Sequence, residues 1–266
     1  MMKYAYVTTN LLDLWDDPAF NSERISQILF GDALIVMSRR KGFARVKEAD
    51  GYSGWVDERF LKEITPQQYN KSLKHINGVV STGPAVVFGT GTTEKVPPFF
   101  LFYGTKLYLT SVRNVYAVAE LPDGAPVHLK SQRIRLFDDH RTREVTGAML
   151  VHEAKAFLGV PYLWGGISPA GFDCSGMMRA VFGAFGKYLP RDTKDQIKVG
   201  AEIDRHDVQA GDLLFFNRHV GLALSRERII HSSVGGGGVR INSLSPSGND
   251  YRPDLDRDFR TARRVL

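Results

Sequence analysis

Residues 171–188 read GFDCSGMMRAVFGAFGKY and hold the only cysteine in a chain of 266 residues. The stretch changes character at its third residue. Up to Asp173 runs a loop rich in glycine and proline, PYLWGGISPAGFD (161–173); beyond it Met177, Met178, Val181, Phe182 and Phe185 recur at helical spacing. Cys174 therefore falls in the first turn of a helix. Asp173 suits the N-cap, because a short acceptor side chain satisfies N–H groups that the first turn leaves unpaired. A thiol at that position feels the positive end of the helix dipole, which favours thiolate. The alternative is a small hydrophobe packed inward beside Gly176.

A nucleophilic thiol needs a base. In HVGLALSRERIIHSS (219–233), Val220, Leu222 and Leu224 alternate with His219, Gly221 and Ala223, the pattern of a strand with one apolar face and His219 on the other. Past the polar SRER, Ile229 and Ile230 lead to His231. A hairpin centred near Ser225 would make His219 and His231 direct cross-strand partners on one face, close enough for one ring to orient the other. Nucleophile, base and orienting group on three neighbouring elements form the arrangement of papain-type cysteine enzymes. His75, His128, His140, His152 and His206 have no such support. The helix expected before this region runs through Met149, Leu150, Ala154, Phe157 and Leu158 and stops by Gly159 and Pro161.

The front of the chain is duplicated. At an offset of 73, FGDALIVMSRRKGFARVKEADG (30–51) lies over YGTKLYLTSVRNVYAVAELPDG (103–124) without a gap, matching Gly31 with Gly104, Leu34 with Leu107, Ser38 with Ser111 and Gly51 with Gly124. A single repeat of that length reads as two tandem copies of a small domain. Short alternating runs ending at Asp-Gly make each copy a small β-barrel. The polar DDHRTREVTGAM (138–149) places a linker near 138–146. The expected division is one barrel over 1–70, a second over 71–140, and a catalytic domain over 141–266.

One cysteine excludes an internal disulfide and speaks against a thiolate zinc site, so no metal or organic cofactor is called for. The net charge of +6 is spread along the chain, without the clustered basic patch of a nucleic-acid binder. No run approaches the ~20 apolar residues of a membrane span, and a monomer is expected. MMKYAYVTTNLLDLWDD (1–17) lacks a basic segment followed by an apolar core, so the expected location is cytoplasmic, although a chain shorn of its leader would read the same way and be secreted or wall-associated.

PYLWGG, FDCSG, LPRDTKDQ, AGDLLFF, HVGLAL and IIHSS occur in the order found in the NlpC-type cell-wall peptidases, a bacterial branch of the papain-like fold, and residues 145–266 resemble that family. GYSGWVDERFLKEI (51–64) is similar to the closing strands of bacterial SH3-like domains; in the second copy His128 takes the Trp55 position. The resemblance implies two SH3-like barrels followed by an α+β papain-like cysteine peptidase domain. It implies a triad of Cys174 as nucleophile, His219 as base and His231 as orienting residue, with Tyr162 at the oxyanion site.

LPRDT and the paired barrels further resemble the gamma-D-glutamyl-L-diamino acid endopeptidases. Those act on peptidoglycan-derived peptides, cutting after L-Ala-gamma-D-Glu with a free amino terminus. Asp173 and Ser175 match residues that meet this dipeptide, and Thr193 falls near another contact; for Asp173 the N-cap role competes for the same oxygens. Tyr52, Asp57 and Glu58 are candidates for a contribution from the first barrel. The rival expectations are another acyl-transfer enzyme on the same fold, such as an amidase or transpeptidase, and a non-catalytic wall-binding module. The run of glycines at 235–238 reads as a hairpin turn.

Overall fold

The computed structural model describes residues 3–81, 83–88, 95–137 and 144–266. Residues 138–143 of the expected linker, His140 among them, lie outside the described residues. The chain divides into two compact units, 1–141 and 142–266.

The first unit contains two seven-stranded antiparallel sheets. One has the strand order Arg24–Leu29, Leu11–Trp15, Ser53–Asp57, Phe43–Lys47, Ala33–Arg40, Lys3–Val7, Leu61–Ile64. The other runs Lys95–Leu101, Ala85–Phe88, Pro126–Lys130, Tyr116–Glu120, Lys106–Val112, Gly78–Val80, Ile134–Leu136, which is the same topology. The duplication extends to single hydrogen bonds: Gly31 N–H donates to the Val7 carbonyl at 2.9 Å, and Gly104 N–H to the Val80 carbonyl at 2.8 Å. Both glycines have positive φ, 79° and 88°, a turn conformation that a Cβ would oppose. Alternation supplies the rest. The inward residues of the first sheet, among them Ala5, Leu14, Ile28, Leu34, Val46 and Val56, converge in one core, so the sheet curls around its own side chains.

The boundary expected at residue 70 falls inside a helix, Pro66–Lys74, that joins the two barrels. Thr65 and Gln68 cap its start reciprocally, and Tyr69 packs its ring 4.6 Å from that of Tyr4. Gln68 donates to the Asp123 carbonyl and Lys71 pairs with Glu120, so the helix holds both barrels.

In the second unit the helices Gly147–Lys155 and Cys174–Gly183 pack on a six-stranded antiparallel sheet. Its order is Ala201–Ile203, Thr261–Arg264, Leu213–Phe216, His219–Ser225, Arg228–Ser233, Gly238–Ser243. Pairing of Leu213 with Leu222, Phe215 with Val220 and Leu222 with Ile230 places a fully buried apolar row on one face. The opposite face is apolar too: Leu214, Phe216, Ala223, Ile229 and Ala262 form a second cluster with Leu255. The sheet is therefore covered on both sides, where alternation alone had suggested one apolar face. Among the described residues no helix is long and apolar enough to cross a membrane.

Candidate active site

The helix Cys174–Gly183 begins as its sequence requires. Asp173 has extended backbone and accepts the Gly176 N–H at 2.6 Å, the N-cap bond. A Cβ on Gly176 would lie 2.1 Å from the Gly166 carbonyl oxygen, so only glycine lets the 161–173 loop pass this close under the helix start. Cys174 stays partly open to solvent at that point. Its Sγ lies 3.8 Å from Thr193 Oγ1, and the backbone N–H groups of Val220 and Ser175 are near enough to favour its charged form. Val220 follows His219 directly, so the sulfur is held against the start of the His219 strand.

The two histidines meet, but by a different register from the one the sequence suggests. Strand pairing runs Leu222 with Ile230 and Ala223 with Ile229, and a bulge precedes the pair Ser225 with Arg228. The hairpin therefore turns about Arg226 and Glu227 instead of Ser225, and His231 faces Gly221. Side chains alternate with a period of two, so a two-residue slip leaves both histidines on one face. Gly221 has no side chain to separate them. His219 Nε2 and His231 Nδ1 are 2.7 Å apart, with the rings nearly perpendicular at 78°. His231 Nε2 in turn lies 3.0 Å from Asn242 Oδ1 on the neighbouring strand.

Burial sets the charge of the site. It pushes the Cys174 thiol up, as does the neighbouring Asp173 carboxylate, while Thr193, Val220 and Ser175 pull the other way. Desolvation thus works against the thiolate that the helix dipole favours. His219 is lowered to about 3, first by burial and then by the charges of His231 and Arg252, with Asp254 opposing. His231 is lowered by burial, against which its Asn242 bond works. Tyr162 is pushed up to about 12 by burial and by Cys174 and Asp173, so its hydroxyl keeps its proton. Its backbone N–H bonds to the Gly237 carbonyl, and Pro161 bridges Gly238, so the 234–237 hairpin turn also anchors the Tyr162 loop.

Asp173 and Ser175 are turned inward. One Asp173 oxygen accepts from Gly176 N–H, Ser175 Oγ and Arg191 Nη1, and the other from Gly165 N–H and Arg191 Nη2. Arg191 also donates to Ser175 Oγ at 3.0 Å. Of the two roles weighed for Asp173, the structure holds the N-cap role, shared with a buried ion pair. Thr193, the third member of that expected set, is half-buried beside the sulfur. In the first barrel Asp57 is buried, caps the turn Glu58–Phe60 and pairs with Arg59, which lowers its carboxyl. Glu58 pairs with Arg39 and Tyr52 packs against the barrel core.

Three polar residues escaped the sequence reading of roles: Asn242, Arg191 and Gln196. The last two lie in the LPRDTKDQ stretch, and Gln196 Nε2 ties the Ser175 carbonyl at 3.0 Å to that of Pro190 at 2.8 Å. Among the described residues no group of three His, Cys, Asp or Glu side chains is placed to hold a metal ion. What the site holds is a partly exposed thiol, a neutral imidazole pair and a protonated phenol, a set suited to acyl transfer.

Known proteins are similar to this chain. The NlpC/P60 family profile matches residues 159–254, and a bacterial dipeptidyl-peptidase Sh3 domain profile matches 14–61. A gamma-D-glutamyl-L-lysine dipeptidyl-peptidase of Bacillus subtilis is 30% identical over 83% of this chain and 76% of its own length. Dipeptidyl-peptidase 6 of Lysinibacillus sphaericus is 30% identical over 94% of this chain and 95% of its own. The crystal structure of an NlpC/P60 family protein from Bacillus cereus shares the fold, with a TM-score of 0.84 at 22% identity over 99% of each chain. With relatives of that identity and coverage, and with the thiol and histidine pair in place, the chain belongs to the NlpC/P60 family of cysteine peptidases.

Proposed function

We propose that the chain hydrolyses the bond between gamma-D-glutamate and an L-diamino acid in peptidoglycan-derived peptides that carry a free N-terminal L-Ala. The observation that carries this reading is the 2.7 Å contact of His219 Nε2 with His231 Nδ1 beside a partly exposed Cys174, in a chain similar to a protein named gamma-D-glutamyl-L-lysine dipeptidyl-peptidase. His219 Nε2 is spent on His231, so Nδ1 is the ring nitrogen left to take the thiol proton.

As that proton moves to His219 Nδ1, the sulfur attacks the gamma-carbonyl carbon. The oxyanion faces the Cys174 N–H at the helix start and the Tyr162 hydroxyl. His219 returns the proton to the nitrogen of the diamino acid, the C–N bond breaks and the amine leaves. A water then gives a proton to His219 and attacks the thioester, and the sulfur departs, taking that proton back as L-Ala-gamma-D-Glu is released. The test is a panel of L-Ala-gamma-D-Glu peptides ending in lysine or diaminopimelate, with the amino end free or acetylated, read by product mass. Wild type is expected to release the dipeptide from free-amine substrates and Cys174→Ala from none. Equal cleavage by the two proteins refutes the proposal.

A further inference from the structure

Two imidazoles in series transmit proton direction. If the far nitrogen of His231 carries the proton, His231 Nδ1 is a lone pair, His219 must donate through Nε2, and His219 Nδ1 stands empty to receive the thiol proton. If instead the far nitrogen accepts a hydrogen bond, every step reverses. His231 then donates from Nδ1, His219 accepts at Nε2, and its Nδ1 carries a proton and is useless as a base. Whatever meets His231 Nε2 therefore decides whether the site has a base.

That group is Asn242, whose amide presents either an acceptor or a donor depending on which way it is turned. Its orientation is set from outside the site. Asn242 Nδ2 donates to the Asp250 carbonyl oxygen at 3.0 Å, and a carbonyl cannot donate in return, so the flipped amide would set two acceptors against each other. The Asp250 carbonyl is itself fixed by main chain. It also accepts the Ser243 N–H at 3.2 Å, Arg252 N–H donates to the Ser243 carbonyl at 2.9 Å, and Ser243 bridges Tyr251 in parallel. With Nδ2 committed there, Oδ1 is the atom left for His231, 3.0 Å from its Nε2.

We propose that Asn242, held by the Asp250 carbonyl, is a positioning residue that fixes both histidines in the Nε2–H tautomer and so leaves His219 Nδ1 free to accept the Cys174 proton. The role rests on the hydrolase reading above, but the tautomers are a property of the resting protein and are measured without substrate. Among the described residues neither His219 nor His231 has a carboxylate hydrogen-bonded to it, so the amide does the orienting that an aspartate does in other triads.

The experiment uses the full chain labelled with 15N on histidine. Long-range proton–nitrogen spectra are recorded for wild type, Asn242→Leu and Asn242→Asp, with kcat and KM on a cleaved peptide from the panel. In wild type both rings should show a protonated Nε2 and a bare Nδ1. Asn242→Leu, with no acceptor, should show protonated Nδ1 in one or both rings and lose about 100-fold or more in kcat, the size of effect a wrong tautomer produces. Its KM should stay within about threefold, since substrate contacts are untouched. Asn242→Asp keeps an acceptor toward His231 but has no donor for the Asp250 carbonyl, so it should return the Nε2–H tautomers with kcat between those of Asn242→Leu and wild type. A Leu variant with wild-type tautomers and kcat overturns the role, and so does an Asp variant that falls as far as Leu while remaining folded. If Asn242→Leu does not fold, the Asp variant decides alone. A wild type that shows the expected tautomers yet cleaves nothing leaves the Asn242 geometry standing and removes the hydrolase reading instead.

Discussion

His219 and His231 are bonded to each other diagonally, with their ring nitrogens 2.7 Å apart, and the residue facing His231 in the sheet, Gly221, has no side chain. A Cβ at Gly221 would lie 2.5 Å from Ile229 Cδ1 and 2.9 Å from His231 Cβ. Gly221→Ala is therefore expected to displace the His231 ring, lowering kcat by at least about tenfold, and to destabilise by about 1–3 kcal/mol through overpacking. Urea titration and steady-state kinetics on the same sample check both. Unchanged kcat would mean that the diagonal contact is not needed.

Arg191 and Asp173 form a buried ion pair whose side chains are 2% and 10% exposed. Arg191→Leu leaves a carboxylate inside the protein without its counter-charge, and breaking such a pair costs about 3–5 kcal/mol. The loss also removes a donor from Ser175 and loosens the cap of the Cys174 helix. Arg191→Lys keeps the charge but not the two-pronged geometry, so it is expected to fall between the two. Denaturant midpoints for the three proteins give the order.

The lowered histidines make a statement about acid stability. A histidine at about 3 in the fold and near 6.5 unfolded binds fewer protons in the folded state, so its contribution is full above about pH 6.5 and is lost as pH falls toward 3. Within that window each such ring reduces stability by up to about 1.4 kcal/mol per pH unit. His231, lowered in the same direction, adds to the slope. Unfolding free energy measured between pH 7 and 4 should fall steeply in wild type and less steeply in His231→Asn. Parallel slopes would contradict the assignment.

Burial raises the Cys174 thiol, so its alkylation by iodoacetamide should keep accelerating into the alkaline range, above the ordinary cysteine value of about 8.5. A rate already at its plateau by neutral pH would restore the thiolate expected from the helix dipole alone.

The parts of this protein that could be read from sequence are those fixed by local chemistry. The 73-residue offset survives into the hydrogen bonds of Gly31 and Gly104 because turn glycines and alternating apolar residues carry barrel topology by themselves. Asp173 and Cys174 declare a helix start by the same local logic. The hairpin register was missed by two residues because Arg226 and Glu227 carry no turn signature and the bulge after Ala223 leaves none in the sequence. The face was nonetheless right, since parity is indifferent to a slip of two. The thiol's charge is less legible, because the dipole is local to the helix while desolvation comes from the surrounding fold. Asn242 had no signal at all, since its amide gains meaning only from a carbonyl on the segment that returns beside it.

The most direct test of the central claim is intact-protein and peptide-mapping mass spectrometry of enzyme quenched with acid during turnover of a free-amine L-Ala-gamma-D-Glu peptide. The account predicts a transient adduct of one L-Ala-gamma-D-Glu acyl group on Cys174, absent with the acetylated peptide and absent in Cys174→Ala. Turnover with the adduct on another residue, or turnover undiminished in Cys174→Ala, would contradict it.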